Sequence, residues 1–384
     1  MARSTFRRSA NCAGLIYLLF AFLPALYAGS SYPVGDHPKY IVLADLNNDG
    51  VLDMITANYL SANITVLIGV GDGTFQPGVN YPTGVNPTSI AVADLNNDGK
   101  MDLAVANVDS ACGTCGDNLS LFPGNGDGTF QPAITTTVGG TSAAVAAADL
   151  NSDGKSDLVV GDSTFIYVLL SRGGGKFKSP VAYPVSTVVH SIVCADFNKD
   201  HRLDIAVANY ASASVTVFLN NGKGTFGSPV VYPVGIKPHD VISADLNHDG
   251  FVDLVTADQD SAGISILLGN GDGTFQPATS ATTGPDPASL AVGDFNHDGN
   301  MDLAVANTAC VSPSGVCTIS QSNIAILLGN GDGTFQPPTL IGQGSGVVSI
   351  TAGDINRDGN LDLAVGTFND IAGVLYGNGD GTFR

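Results

Sequence analysis

Glutamate is absent from this 384-residue chain, and so is tryptophan. All 35 acidic residues are therefore aspartates, and with only 15 lysines and arginines the formal charge is −20. Each shortage excludes something. With no Glu and little Lys or Arg, the chain lacks most of the strong helix formers. No basic stripe exists to neutralise phosphates, which argues against a nucleic-acid partner. One common general acid is missing, no G-x-S-x-G elbow occurs and the six histidines are scattered, so no catalytic constellation stands out. A sugar-binding surface would have to stack on Tyr in place of Trp. What the chain has in quantity is glycine, 48 residues of it, which supplies turns.

The aspartates are not spread evenly. Residues Asp45 to Asp53 read D-L-N-N-D-G-V-L-D, which matches an EF-hand calcium loop at positions 1, 3, 5 and 6. The match fails further on. Position 12 is Thr56 where an EF-hand needs a bidentate Glu, the closing carboxylate comes early as Asp53 at position 9, and the following M-I-T-A-N is strand-like. The pattern D-x-N-x-D-x-x-x-D then returns at Asp94, Asp149, Asp196, Asp245, Asp294 and Asp354, giving seven copies spaced by 47 to 60 residues. Such a period holds about four short strands. In the fifth unit they are expected around Val241–Ala244, Leu254–Ala257 and Ile264–Leu268, with a fourth leading through Phe275. Seven units of four antiparallel strands predict an all-β fold, a seven-bladed β-propeller. The last unit stops at G-N-G-D-G-T-F-R, after its third strand and turn, while S-Y-P-V-G near the start matches the joint from a fourth strand to a first. The N-terminal segment is therefore expected to supply the missing strand and close the ring, pairing edges that would otherwise stay open.

Ahead of the repeats, Arg3, Arg7 and Arg8 precede an apolar run from Leu15 to Ala28 and then A-G-S-S. That layout predicts a secretory signal peptide over residues 1–29, with the propeller over 30–384, because about 14 apolar residues are few for a membrane span of roughly 20. An uncleaved anchor is the alternative. Either way the repeats are expected outside the cytoplasm, secreted or at the cell surface. Cys112 and Cys115 share one insertion and Cys310 and Cys317 bracket another, so two local disulfides are expected in an oxidising compartment. Zinc binding by the four is disfavoured because the pairs fall in different, non-adjacent repeats. Cys194 falls in a strand-like run and reads as a small buried residue.

The pairing of D-x-N-x-D-G-x-x-D with G-N-G-D-G-T-F resembles the FG-GAP, or VCBS, repeats of bacterial exported proteins. It is similar to the calcium-bearing blades of the integrin α-subunit propeller. The resemblance spans roughly residues 30 to 384. It implies a Ca2+-stabilised propeller with up to seven ions, and no particular ligand. Carried onto this sequence, it implies side-chain oxygens from positions 1, 3, 5 and 9 of each loop and a main-chain carbonyl from position 7. Those residues are Asp45, Asn47, Asp49, Val51 and Asp53 in the first loop; Asp94, Asn96, Asp98, Lys100 and Asp102 in the second; and Asp149, Asn151, Asp153, Lys155 and Asp157 in the third. The fourth loop supplies Asp196, Asn198, Asp200, Arg202 and Asp204, and the fifth Asp245, Asn247, Asp249, Phe251 and Asp253. The sixth supplies Asp294, Asn296, Asp298, Asn300 and Asp302, and the seventh Asp354, Asn356, Asp358, Asn360 and Asp362.

Hard oxygen ligands on a flexible loop suit Ca2+ better than Mg2+. Seven such ions would bring the formal charge from −20 to about −6 and relieve the repulsion among clustered carboxylates. In the fourth loop His201 replaces the position-6 Gly, where positive φ costs another residue about 1–2 kcal/mol, so a weaker site is expected there. Asp72, Asp127, Asp272, Asp332 and Asp380 of the second motif are read as turn residues, since Lys enters that turn in units three and four. Phe75 and its equivalents are read as blade-packing aromatics.

Antiparallel connectivity puts the loops joining strands 1–2 and 3–4 on one face and those joining 2–3 and 4–1 on the other. Both cysteine insertions fall in 2–3 connections, as do Asn58-Tyr59 and Asn209-Tyr210, and the Y-P-V-G segments are placed in 4–1 connections. Variable loops on a rigid support mark the second face as the binding face. The resemblance adds that integrin-like propellers use that face for partners. Asn58, Asn107, Asn209 and Asn307 are read as turn residues ahead of ligand contacts, and His248 and His297, at position 4, are expected to face solvent. The functional expectation is a non-catalytic binding or adhesion scaffold for a protein or polysaccharide ligand. The alternative is a lectin or polysaccharide-active enzyme on the same propeller, with non-loop aspartates such as Asp109, Asp117 or Asp240 as its candidate acids.

Overall fold

Short β-branched runs bounded by Gly- and Asp-rich turns form strands, and in the computed structural model they gather into seven four-stranded antiparallel sheets. The structure describes residues 30–108, 119–140, 143–311, 316–317, 322–342, 344 and 346–384. The expected signal segment, Cys112, Cys115, Asp109 and Asp117 lie outside these. Blade 1 consists of Pro38–Ala44, Asp53–Asn58, Asn63–Leu67 and Val79–Pro82. The next five blades repeat it, starting at Pro87, Ala144, Val189, Pro238 and Pro287. The seventh has Val347–Gly353, Asp362–Thr367 and Ile371–Leu375. Its outer strand comes from the other end of the chain: Ser31–Pro33 pairs antiparallel with Ile371–Leu375, with Tyr32 opposite Ala372.

Position within the blade explains the strand sequences. Each blade packs face to face against a neighbour on both sides, so second strands such as Asp102–Asn107 are buried along their whole length. The sequence D-L-A-V-A-N accordingly reads as a continuous run and not as an alternation. Fourth strands lie at the rim and are largely exposed. The core is divided into seven clusters, one per blade interface. The cluster joining the last blade to the first contains Ile355, Ala364 and Val374 together with Ile41, Met54 and Leu67.

Two details differ from the sequence reading. The fourth strand of the fifth blade is Thr279–Thr282, beyond Phe275, which instead bridges back to Gly269 in the 3–4 hairpin. The Tyr-Pro pairs end the fourth strands, and in the two Y-P-V-G segments, at Tyr32 and Tyr232, only the Val-Gly is loop. The reason lies in the seams. Tyr32, Tyr81, Tyr183 and Tyr232 each meet the hairpin Phe of the next blade edge to face, at Phe75, Phe130, Phe226 and Phe275, with ring centroids 5.3 to 5.7 Å apart. The amides of Phe75, Phe130 and Phe226 donate to the tyrosine hydroxyls. At the other three seams Thr136, Ala281 and Ile341 take the tyrosine's register position. Between the last two blades Phe295 packs on Phe383 instead.

A second set of links circles the axis. Counting back five residues from the first Asp of each loop gives Tyr40, Ser89, Ala144, Ser191, Asp240, Ser289 and Ser349. Ser89 and Ser289 each exchange hydrogen bonds with the next blade, at Val145 and Ile350. Ser349 donates to the Pro38 carbonyl, joining the last blade to the first. Small polar side chains thus take over where first strands of neighbouring blades do not pair.

Candidate functional site

Both faces of the ring carry candidate chemistry. On the first, every aspartate loop shares two internal bonds: the first aspartate accepts the amide of position 6, and the position-5 aspartate accepts that of position 7. In the first loop the Asp45 carboxylate accepts the amides of Asp49 and Gly50, Asp49 accepts that of Val51, and Asn47 is bonded to Asp49. Position 9 is different. Asp53 is fully buried, and its two oxygens accept the amides of Leu46 in its own loop and Gly69 in the 3–4 hairpin, at 2.9 and 2.8 Å. Asp102, Asp157, Asp204, Asp253, Asp302 and Asp362 repeat both bonds. The hairpin residue is Gly in five blades because a Cβ on Gly69 would sit 2.3 Å from the Leu52 carbonyl oxygen. Burial, then the charges of Asp49 and Asp45, pushes Asp53 up to about 6, and Asp204 is pushed to about 6 for the same reasons.

These loops offer a hard cation the right chemistry. Besides the paired oxygens, Asp245 Oδ1 and Asn151 Oδ1 are buried with no hydrogen-bond partner, and both are positions assigned to a metal ligand. Among the described residues, however, no three His, Cys, Asp or Glu side chains converge as a metal-holding group. In the third and fourth loops a cation of the chain itself is at hand: Lys155 pairs with Asp153 and Arg202 with Asp200. His201 takes the expected positive φ, 64°, with its side chain almost fully exposed. The G-D-G-T aspartates are turned inward on their own hairpins, where Asp72 accepts the amide and hydroxyl of Thr74, and those bonds hold it below the usual carboxylate range.

The opposite face centres on the mouth of the axial channel. One residue further back along each first strand stand Lys39, Thr88, Ala143, His190, His239, Ala288 and Val348. All but Val348 line a cavity of about 270 Å³ together with Tyr59, Ser191 and Asp240. Lys39 Nζ sits 5.3 Å from the Tyr59 ring centre, His190 stacks on Tyr210 at 4.1 Å and meets His239 edge-on at 4.8 Å, and His239 Nδ1 reaches the Ala288 carbonyl at 2.8 Å. Burial lowers both histidines, His239 to about 4, and lowers Lys39. Asp240 occupies the serine position of the axial links and accepts bonds from Ser191 Oγ and the amides of Val241 and Leu290, at 2.8, 2.9 and 2.9 Å.

The FG-GAP-like repeat matches residues 31–105, 107–160, 149–207, 196–256, 245–305 and 316–365, which together take in all seven aspartate loops. The chain belongs to the FG-GAP-like repeat family. No curated protein sequence matches it. Among solved structures, BBS1N in complex with ARL6DN, soaked with lead, superposes with a TM-score of 0.61 at 13% identity, covering 91% of this chain and 96% of that one. An Agrocybe aegerita lectin, solved for its recognition of non-reducing terminal N-acetylglucosamine, gives 0.54 at 18% identity, covering 89% and 86%. At such identities the likeness is one of fold.

Within the FG-GAP ring the strand-end asparagines prove structural. Asn58, Asn107, Asn209 and Asn307 are buried and bonded to side chains of the adjacent third strands, such as Thr65, Ser120, Thr216 and Asn323. Asp258 holds the same place in blade 5, where burial pushes it up to about 6 against bonds from the Ser265 and Thr256 hydroxyls. A raised carboxylate favours the folded state when protonated, so its contribution is full below the ordinary pKa and is lost as pH rises through about 6. Asp258→Asn is therefore expected to stabilise the FG-GAP ring at pH 7.5 by up to about 3 kcal/mol, with the gain vanishing near pH 4. Parallel calorimetric melts of both proteins check this; a gain equal at both pH values would refute it.

Two further roles escaped the sequence. His248 and His297 are exposed as expected, but each bonds across to the next FG-GAP loop, at Asn300 and Asn360, and Arg357 reaches the carbonyls of Asp49 and Gly50. Position 4 thus ties loop to loop, and it has positive φ in all seven copies. Cys194 lies in the first strand of blade 4, its thiol pushed up to about 12 by burial. The hairpin Cys310–Val311/Val316–Cys317 places Cys310 opposite Cys317 in register.

Proposed function

We propose that this FG-GAP ring is an exported, Ca2+-stabilised scaffold that binds a macromolecular partner, protein or polysaccharide, on the face opposite the aspartate loops, without transforming it. One observation carries the reading: the two faces are built to opposite plans. The aspartate face repeats, with each loop sharing the same main-chain bonds to its first and fifth positions and locked to its hairpin by a buried carboxylate. The other face carries the channel mouth, where equivalent positions diverge to Lys39, Thr88, His190 and His239. Uniformity suits structure, and divergence on a rigid support suits recognition.

Calcium would be held by the oxygens of loop positions 1, 3, 5 and 9 and the position-7 carbonyl, supplying positive charge among aspartates that now repel one another. The expected signal segment supports a place outside the cytoplasm, where Ca2+ is plentiful. Among the described residues no helix is long and apolar enough to cross a membrane. The two solved relatives support both partner classes, one being complexed with a protein and the other a lectin. The lectin reading draws on Tyr59 and Tyr210, which offer rings at the channel mouth in a chain without Trp.

A chelator-sensitive pull-down from the native cell envelope, paired with a glycan array and mass spectrometry of the products, tests the proposal. Saturable, unmodified capture of one protein or glycan is the expected result. Turnover of a bound glycan would overturn the non-catalytic part, and capture unaffected by substitutions at Tyr59 and Tyr210 would overturn the assignment of the face.

A further inference from the structure

The cavity at the channel mouth has an unusual charge balance for so acidic a chain. Among the described residues that line it, Lys39 is the cation, and Asp240 is the one carboxylate. Asp240 is already engaged: Oδ1 accepts the Ser191 hydroxyl and the Val241 amide, and Oδ2 accepts the Leu290 amide. Lys39 has no carboxylate within ion-pairing distance among the described residues, and its half-buried side chain holds the ammonium near the Tyr59 ring. An ammonium partly withdrawn from water with no counter-charge beside it leaves a place for an anion arriving from solution.

The remaining lining narrows the class of anion. His239 Nδ1 is committed to the Ala288 carbonyl, so at neutral pH its Nε2 is an acceptor, and His190 lies flat against Tyr210. No arginine among the described residues lines the cavity, whereas phosphate recognition favours a guanidinium fork or several cations. One ammonium beside hydroxyl and imidazole groups matches a single carboxylate whose neighbouring atoms are hydroxyls. The volume of about 270 Å³ lies at the small end of ligand sites and admits one small molecule or one residue of a chain.

We propose that the channel mouth is a binding site for a sugar acid, with its carboxylate on Lys39 and its hydroxyls among the Ser191, His239 and Tyr59 side chains. The site goes beyond the scaffold reading and does not depend on it, since a free uronate needs only the cavity lining and not a macromolecular partner.

Isothermal titration of the full mature chain with glucuronate, with acetate and with glucose tests it. Glucuronate is expected to bind saturably, acetate at least tenfold more weakly, and glucose at least tenfold more weakly again. Lys39→Met should weaken glucuronate at least tenfold while the exposed Lys178→Met leaves it unchanged. In the wild-type protein the imidazole proton resonances of His190 and His239 should shift on addition of glucuronate, a readout independent of how any variant folds. Absence of saturable binding to the wild type, glucose binding as tightly as glucuronate, or an unaltered affinity in a folded Lys39→Met protein would each overturn the proposal.

Discussion

Excess chelator is expected to lower the melting temperature of the mature chain by on the order of 10 °C, and returned calcium to restore it. At tenfold excess over its dissociation constant each independent site contributes about 1.4 kcal/mol, so seven together contribute about 10 kcal/mol. Spread over the unfolding entropy of about 350 residues, at about 2 cal/mol/K each, that free energy corresponds to roughly 10–15 °C. The physical origin lies in the loops themselves. Burial and the neighbouring aspartates hold the position-9 carboxylates up, as at Asp53, and a divalent ion would remove that penalty. The third and fourth loops should contribute least, because Lys155 and Arg202 already lie on their position-5 carboxylates and an arriving ion must displace them. Differential scanning fluorimetry with chelator, then with restored Ca2+, measures the effect; a melting temperature that does not move would rule the calcium assignment out.

The second large effect separates metal binding from architecture inside one loop. Asp302→Ala is expected to cost about 3–5 kcal/mol even with calcium chelated, and to lose the calcium increment of its loop as well when calcium is present. The reason is that both oxygens of this fully buried side chain accept main-chain amides, those of Phe295 and Gly329, at 2.8 and 2.7 Å. Removing it leaves two buried donors unmade, each costing about 1–3 kcal/mol. Asp298→Ala, four residues earlier and exposed, should cost under about 1 kcal/mol in chelator and lose the calcium increment of its loop alone. Calorimetric melts of both variants with and without chelator decide the matter. Equal losses in chelator would show that position 9 has no structural role of its own.

The ring was legible in the sequence because a repeat turns one local decision into seven: a D-x-N-x-D-x-x-x-D loop between two strand-like runs means the same thing each time. The faces followed from strand order alone. The fourth strands were misplaced because Phe275 looks like strand material, whereas its ring is needed by a tyrosine of the neighbouring blade, a partner 43 residues away in chain terms at the Tyr32 seam. His248 and His297 were read from their own loops, yet their bonds are made to the next loops, and no local pattern announces them. The channel mouth was legible in principle. Aligning the repeats on the first Asp and reading the sixth residue before it places Lys39, His190 and His239 in one column. That column matters only once the first strands are known to surround an axis.

The aromatic seams divide the ring unequally. Five of the seven blade interfaces are pinned by a pair of rings, and the two without one, between blades 2 and 3 and between blades 5 and 6, lie on opposite sides of the circle. The paired rings thus fall into two arcs, one of three blades and one of four, while the two interfaces between the arcs are held by aliphatic packing and by the axial links of Ser89 and Asp240. Lys39 belongs to the larger arc and His190 and His239 to the smaller, so the channel mouth spans the gap between the arcs. A molecule seated there acts as a crossbar, held by both arcs at once.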